Sequence, residues 1–302
     1  MTAQQTGTRE KRSAEILTVR RTAAGAPRRR VSDLPGVLLA TLAVLALLVV
    51  WEVCVRVFDI SSIVLPAPTR VADALWTGFT EGPLWEHTWV TLQEILLGFA
   101  IAVVAGMVVA VVISSSRLAE KAFLPIIVVL QTVPKVALAP LFLVWFGFGI
   151  ELKIFTTALI AFFPVLINAT LGFNSTSSEQ VDMMKSFGAS KWQILTRLRF
   201  PTAVPSIVAG LDVAVVLAVI GAIVAEFVGA QAGLGYIILA SNTTLDVATM
   251  FAVLVVLSVI GLVLHYAVVL IGNRLAFWSE EQRSRSARRW PPGAGAPPRG
   301  AP

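Results

Sequence analysis

The chain has 302 residues, 56% of them apolar and only 14% charged, with a formal net charge of +6. Soluble domains carry about a quarter charged residues, and apolar runs of about 20 residues, enough to cross a bilayer core, recur along this sequence, so a soluble globular fold is excluded. The one cysteine, Cys54, excludes an intrachain disulfide and a cysteine-based metal cage. His87 and His265 are too far apart for metal-ligand spacing and are read as interfacial or bundle-facing, so no metal site is expected.

In chain order, residues 1–33 form a basic polar tail without apolar periodicity, expected to be disordered. It is not read as a cleavable signal, because its basic region is long and the apolar run behind it is long enough to span. Residues 34–278 hold six candidate spans, at about 36–55, 90–113, 123–146, 152–173, 207–228 and 250–270. All are expected to be helices, since an open strand edge stays unsatisfied in lipid. The third is interrupted by Pro125, Pro134 and Pro140. The second carries Gly98, Ala102, Gly106 and Ala110 on one face, which lets a neighbouring helix approach closely. Residues 279–302 are a second basic tail, rich in Pro, Gly and Ala and also expected to be disordered.

Charge orients the spans. Lysine and arginine crowd both tails, the segment with Arg117 and Lys121, and the segment with Lys185, Lys191, Arg197 and Arg199. The opposite side receives Arg56, Arg70 and Lys153. The positive-inside bias therefore predicts a multi-pass membrane protein with both termini cytoplasmic; a bacterial plasma membrane is what the resemblance described below implies.

Ionisable residues inside spans are costly and face a cavity or a partner. Lys135 follows Pro134 in the third span, and Glu226 lies near the outer end of the fifth. These three residues are the candidates for a translocation path. Lys135 is open to three readings: attraction of an anionic solute, pairing with Glu226 at matched depth, or a wet position at a proline break. Gly233 and Gly235 form a short outer turn; the G-x-G-x-x-G pattern fails at Ile238, so a phosphate loop is not expected there.

The segment Asp182–Pro201, DMMKSFGASKWQILTRLRFP, is polar and basic between apolar runs. Its spacing resembles the EAA loop of ABC-importer permeases: an acidic residue and two more, three residues, Gly188, then nine residues to a hydrophobic pair and Pro201. Asp182, Met183 and Met184 stand where that pattern has E-A-A, and Leu198 and Phe200 replace its I and L. Thr91–Ala110, Leu124–Gly149 and Ala225–Ile238 resemble the corresponding helices of the nitrate, sulfonate and taurine importer permeases, so the resemblance covers about residues 88–277. Asn273-Arg274 departs from the Glu-Arg common in that family.

The resemblance implies an all-α membrane protein with the six-helix bundle of a type I ABC-importer permease. It implies a cytoplasmic coupling loop at 174–201 whose docking residues are Asp182, Phe187, Gly188, Ala189, Trp192, Leu198 and Pro201. A short helix on each side of Gly188 is expected, with glycine taking a left-handed turn and Pro201 ending the segment. The implied partners are ABC ATPase subunits, a second permease copy, an extracytoplasmic solute-binding protein and the lipid bilayer, with no nucleic acid. The chain has no G-x-x-x-x-G-K-[ST], so it is expected to bind no cofactor and to be no enzyme, ATP and Mg belonging to the partner. The resemblance implies as cargo a small, anionic solute of sulfonate, taurine or nitrate type; permeases of this type also serve bicarbonate and thiamine-precursor pyrimidines, and the sequence does not name the solute. A secondary transporter would show matched broken helices in internal repeats. A membrane enzyme would need a convergent polar set, and Lys135, Glu226 and Asp212 form no recognised one.

Overall fold

The computed structural model describes residues 36–275. The tails predicted at 1–33 and 279–302 lie outside them. The chain divides into two units, residues 1–53 and 54–302. In the first, the described part is the body of α1 (Gly36–Val57), an apolar helix long enough to span a bilayer.

The second unit is a helical bundle. Its elements are α2 (Pro68–Thr80), α3 (Leu84–Ser114), α4 (Arg117–Thr132), a 3₁₀ turn (Lys135–Leu138), α5 (Ala139–Phe146), α6 (Ile150–Asn174), α7 (Ser178–Ser186), α8 (Lys191–Ile194), a π-helical turn (Leu195–Arg199), α9 (Phe200–Gly229), α10 (Leu234–Thr244) and α11 (Val247–Leu275). Among the described residues of both units, five helical stretches, α1 included, are long and apolar enough to cross a membrane, and the bent pair α4 and α5, counted as one span, makes six. The α3 helix runs 31 residues, about 46 Å at the standard rise, because no proline or glycine pair interrupts it after Pro83.

The bundle is centred on α6, half of whose most apolar window is buried, against 28% for α3, 39% for α9 and 22% for α11. Lipid is as apolar as the helices, so close packing rather than hydrophobic burial holds such a bundle. The small-residue stripe on α3 supplies that packing. Gly98, Ala102, Gly106 and Ala110 are all buried, and a Cβ on Gly98 would stand 2.5 Å from Thr157 of α6. From the other side, Gly210 and Gly221 of α9 meet Asn168 and Thr157 equally closely. The hydroxyls of Thr156 and Thr170 donate to the carbonyls of Leu152 and Leu166 at 2.7 Å, which satisfies them without a second helix.

The third span breaks where the sequence predicts an interruption, but at one proline of the three. The α4 and α5 halves bend by 76° across residues 133–134. Pro134 has no N–H to continue α4 and holds the extended backbone that ends it. Pro125 lies inside unbroken α4, and Pro140 sits in the first turn of α5, where an N–H would be unpaired anyway.

Pro201 corrects an expectation. It does not end the segment before the fifth span; helix runs from Lys191 to Gly229 straight through it. The π-helical turn at Leu195–Arg199 widens the backbone just ahead of the proline, which makes room for its ring and its missing donor. Two helices outside the spans, α2 and α10, were not anticipated. The short turn expected at Gly233 and Gly235 holds only Gly233, the N-cap of α10 at φ 121°; Gly235 lies in the first turn of that helix.

Candidate functional sites

The first site is the segment between α6 and α9, at what is called here the loop end of the bundle. Ser177 caps α7, its hydroxyl accepting from the Gln180 amide. Ser190 and Gln193 form a reciprocal capping box on α8. Between the two helices Gly188 takes φ +77° with open space around its Cα, and its amide and that of Ala189 close the turn on Lys185 and Met184. A helix–turn–helix knob results. Asp182 is exposed and accepts from Lys185 Nζ at 2.8 Å. Among the described residues no large apolar side chain is more exposed than Phe187, at 82%.

The other loop residues sit closer to the bundle. Trp192 lines an apolar groove with Met107, Val108, Val111 and Phe200. Leu198 and Pro201 are half-buried. Arg199 ties the knob to the bundle by donating to the Ser114 carbonyl at 2.7 Å.

The second site lies at the far end and was only partly visible in the sequence. Glu226 is fully buried; its Oε1 accepts from Thr91 Oγ1 at 2.6 Å, and its Oε2 accepts from the Gly235 amide. The Thr91 hydroxyl in turn accepts from the Leu234 amide at 2.8 Å. Beside it Glu94 Oε1 accepts from Lys153 Nζ at 2.7 Å, and the same ammonium donates to the Ala232 carbonyl at 3.1 Å. His87 Nδ1 accepts from the Gly233 amide at 2.9 Å and its ring stacks on Tyr236. Thus α3, α6 and α9 and the turn leading to α10 are cross-tied by one ammonium, two carboxyls, one hydroxyl and one imidazole.

Glu226 therefore does not pair with Lys135. Lys135 sits at the break of the third span, donates to the Gln131 carbonyl at 3.0 Å and stands 4.6 Å over the Phe163 ring. The cation near Glu226 is Lys153, which charge orientation had placed on the outer side and which α6 buries. Glu94 and Lys153 escaped the sequence reading; a lone Glu inside TLQEILLGF was the available signal. Pro134 is exposed at the break. His265 pairs with Asp212 between α9 and α11.

Residues 102–277 match the family model of the binding-protein-dependent transport system inner membrane component. The chain belongs to this family. It is similar to a probable ABC transporter permease of Haemophilus influenzae, 36% identical over 77% of this chain and 94% of the relative. A formylaminopyrimidine transport permease of Halalkalibacterium halodurans is 35% identical over 80% and 96%. The taurine transport permease of Escherichia coli is 31% identical over 80% and 90%. In fold, the permease resembles a chain of the inward-facing MetNI methionine ABC transporter, with a TM-score of 0.58 at 19% identity, covering 65% of this chain and 99% of that one. The protein is thus an inner-membrane ABC-importer permease with the type I fold. It is a non-catalytic subunit, and ATP is hydrolysed on a separate ATPase partner.

Proposed function

We propose that this permease docks its ATPase through the α7–α8 knob and forms, with a second copy of itself, the path for a small solute handed over by a binding protein. The loop end is then cytoplasmic and the Glu226 end extracytoplasmic, which the lysines and arginines flanking the loop end support. The observation that carries the reading is the knob itself: a left-handed Gly188 turn displaying Phe187 at 82% exposure. A large aromatic left in water is an interface anchor without its partner. Asp182 and Lys185 set the docking register, and Ala189 leaves the turn narrow.

The solute carries an anionic group, of the sulfonate, taurine or nitrate type. Lys135 supports this, because an ammonium at a break in a membrane span is placed where water and solute reach it. The far-end cluster holds the outer ends of α3, α6 and α9 in register while the bent α4–α5 span moves. Proteoliposomes test the reading. The permease alone should show background ATP hydrolysis; with the ATPase and the binding protein it should show solute-stimulated hydrolysis and uptake. Robust hydrolysis by the permease alone, or no complex with the ATPase, overturns it.

A further inference from the structure

The seam between α9 and α11 holds a polar pair that neither the docking knob nor the far-end cluster uses. Asp212 Oδ1 and His265 Nδ1 are hydrogen-bonded across it. On one side of the pair Gly272 packs on Val208; on the other, Val219 and Ile260 both pack against the buried cluster that includes Ala214, Ala218 and Ala222. Asp212 stands about 18 Å along α9 from Phe200, and His265 about 15 Å from the end of α11, so the pair lies deep in the hydrocarbon zone. The buried Glu94–Lys153 pair is sealed, at 0 and 7% side-chain exposure, whereas Asp212 and His265 remain 35 and 36% exposed. Tyr266, 63% exposed, stands beside the opening with its ring 5.3 Å from that of His265.

An acyl chain offers this opening nothing, and half-exposed ionisable groups at such depth face a wetted cavity or a polar ligand. With Nδ1 committed to Asp212, the ring's second nitrogen, Nε2, makes no hydrogen bond to the described residues. The second oxygen of Asp212 accepts no hydrogen bond from the described residues. We infer that Asp212, His265 and Tyr266 form a solute-contact site on the translocation path that takes an N–H donor, an ammonium or a ring N–H, against a carboxylate and an aromatic face. This rests on the permease reading and narrows the solute: beside any anionic group it carries an amine or N–H. Nitrate and simple alkanesulfonates, which offer only acceptors, fit the site poorly.

Charged thiol reagents test the site without knowledge of the solute. Cys54 is the chain's one cysteine, so Cys54→Ala provides a silent background. In the full importer in proteoliposomes, the rate ratio of a trimethylammonium methanethiosulfonate to its sulfonate analogue at Tyr266→Cys should exceed the ratio the two reagents show toward a small free thiol in solution by about tenfold, as one nearby negative charge predicts. Asp212→Asn should return the ratio to the free-thiol value. Val216→Cys, one turn along α9 from Asp212 and 47% exposed, gives the same readout where Tyr266→Cys does not insert. Absence of labelling by either reagent from either face, or a ratio equal to the free-thiol value and indifferent to Asp212→Asn, overturns the site. ATP hydrolysis by the same proteoliposomes reads the permease assignment separately: hydrolysis retained with labelling absent removes the site alone.

Discussion

Lys153 is the residue on which the far-end cluster turns. Its ammonium touches a carboxylate and a backbone carbonyl at 6% exposure. Removing one partner of a buried pair strands the other charge, at a cost of about 3–5 kcal/mol. Lys153→Met should therefore lower the thermal stability of detergent-purified permease sharply, and Lys153→Met with Glu94→Gln should recover much of the loss. A double-variant loss equal to the sum of the two single losses, measured by thermal unfolding, would show that the two side chains act independently. Thr91→Val should cost less, about 1–3 kcal/mol, because it removes one hydroxyl between the Glu226 carboxyl and the Leu234 amide and leaves the Glu94–Lys153 pair whole.

At the scale of the element, the knob depends on one backbone angle. Gly188 at φ +77° has room for a side chain but not the conformation for one. A β-branched residue is badly strained there. Gly188→Val should leave membrane insertion intact, weaken co-purification with the ATPase and suppress solute-stimulated hydrolysis, while a valine at Ser115, in the turn after α3, should be mild; full ATPase association by Gly188→Val would remove the knob from the docking role. The α3 stripe gives a packing counterpart. Gly98→Leu drives a side chain into Thr157 and should reduce folded yield by parting α3 from α6, as size-exclusion profiles would report. These elements also mark what was legible in the sequence. The long apolar runs, the break at Pro134 and the Gly188 turn follow from local chemistry. Passage of the helix through Pro201 did not, because a π-helical turn several residues ahead of it absorbs the ring. Helix α10 was hidden behind a glycine turn. The Glu94–Lys153 and Asp212–His265 pairs join residues 59 and 53 positions apart, and only the packing of α3 on α6 and of α9 on α11 brings such partners together.

For the whole molecule, the fold puts two polar stations at opposite ends of a bundle built on α6. The loop-end knob is exposed and shaped by capping serines and a glycine; the far-end cluster is sealed and held by buried charge. Between them runs the bent α4–α5 span with Lys135 at its break and the open Asp212–His265 seam. In the proposed function the permease is moved from its knob, and the ATPase grips Phe187. The direct measurement is cross-linking of Phe187→Cys, in the Cys54→Ala background, to cysteines placed in the surface groove of the co-expressed ATPase. The account predicts efficient cross-linking at 187 that changes with nucleotide state, and little at a cysteine replacing Tyr236 at the far end. Cross-linking at the far end, or none at 187 in an assembled and active complex, would contradict it.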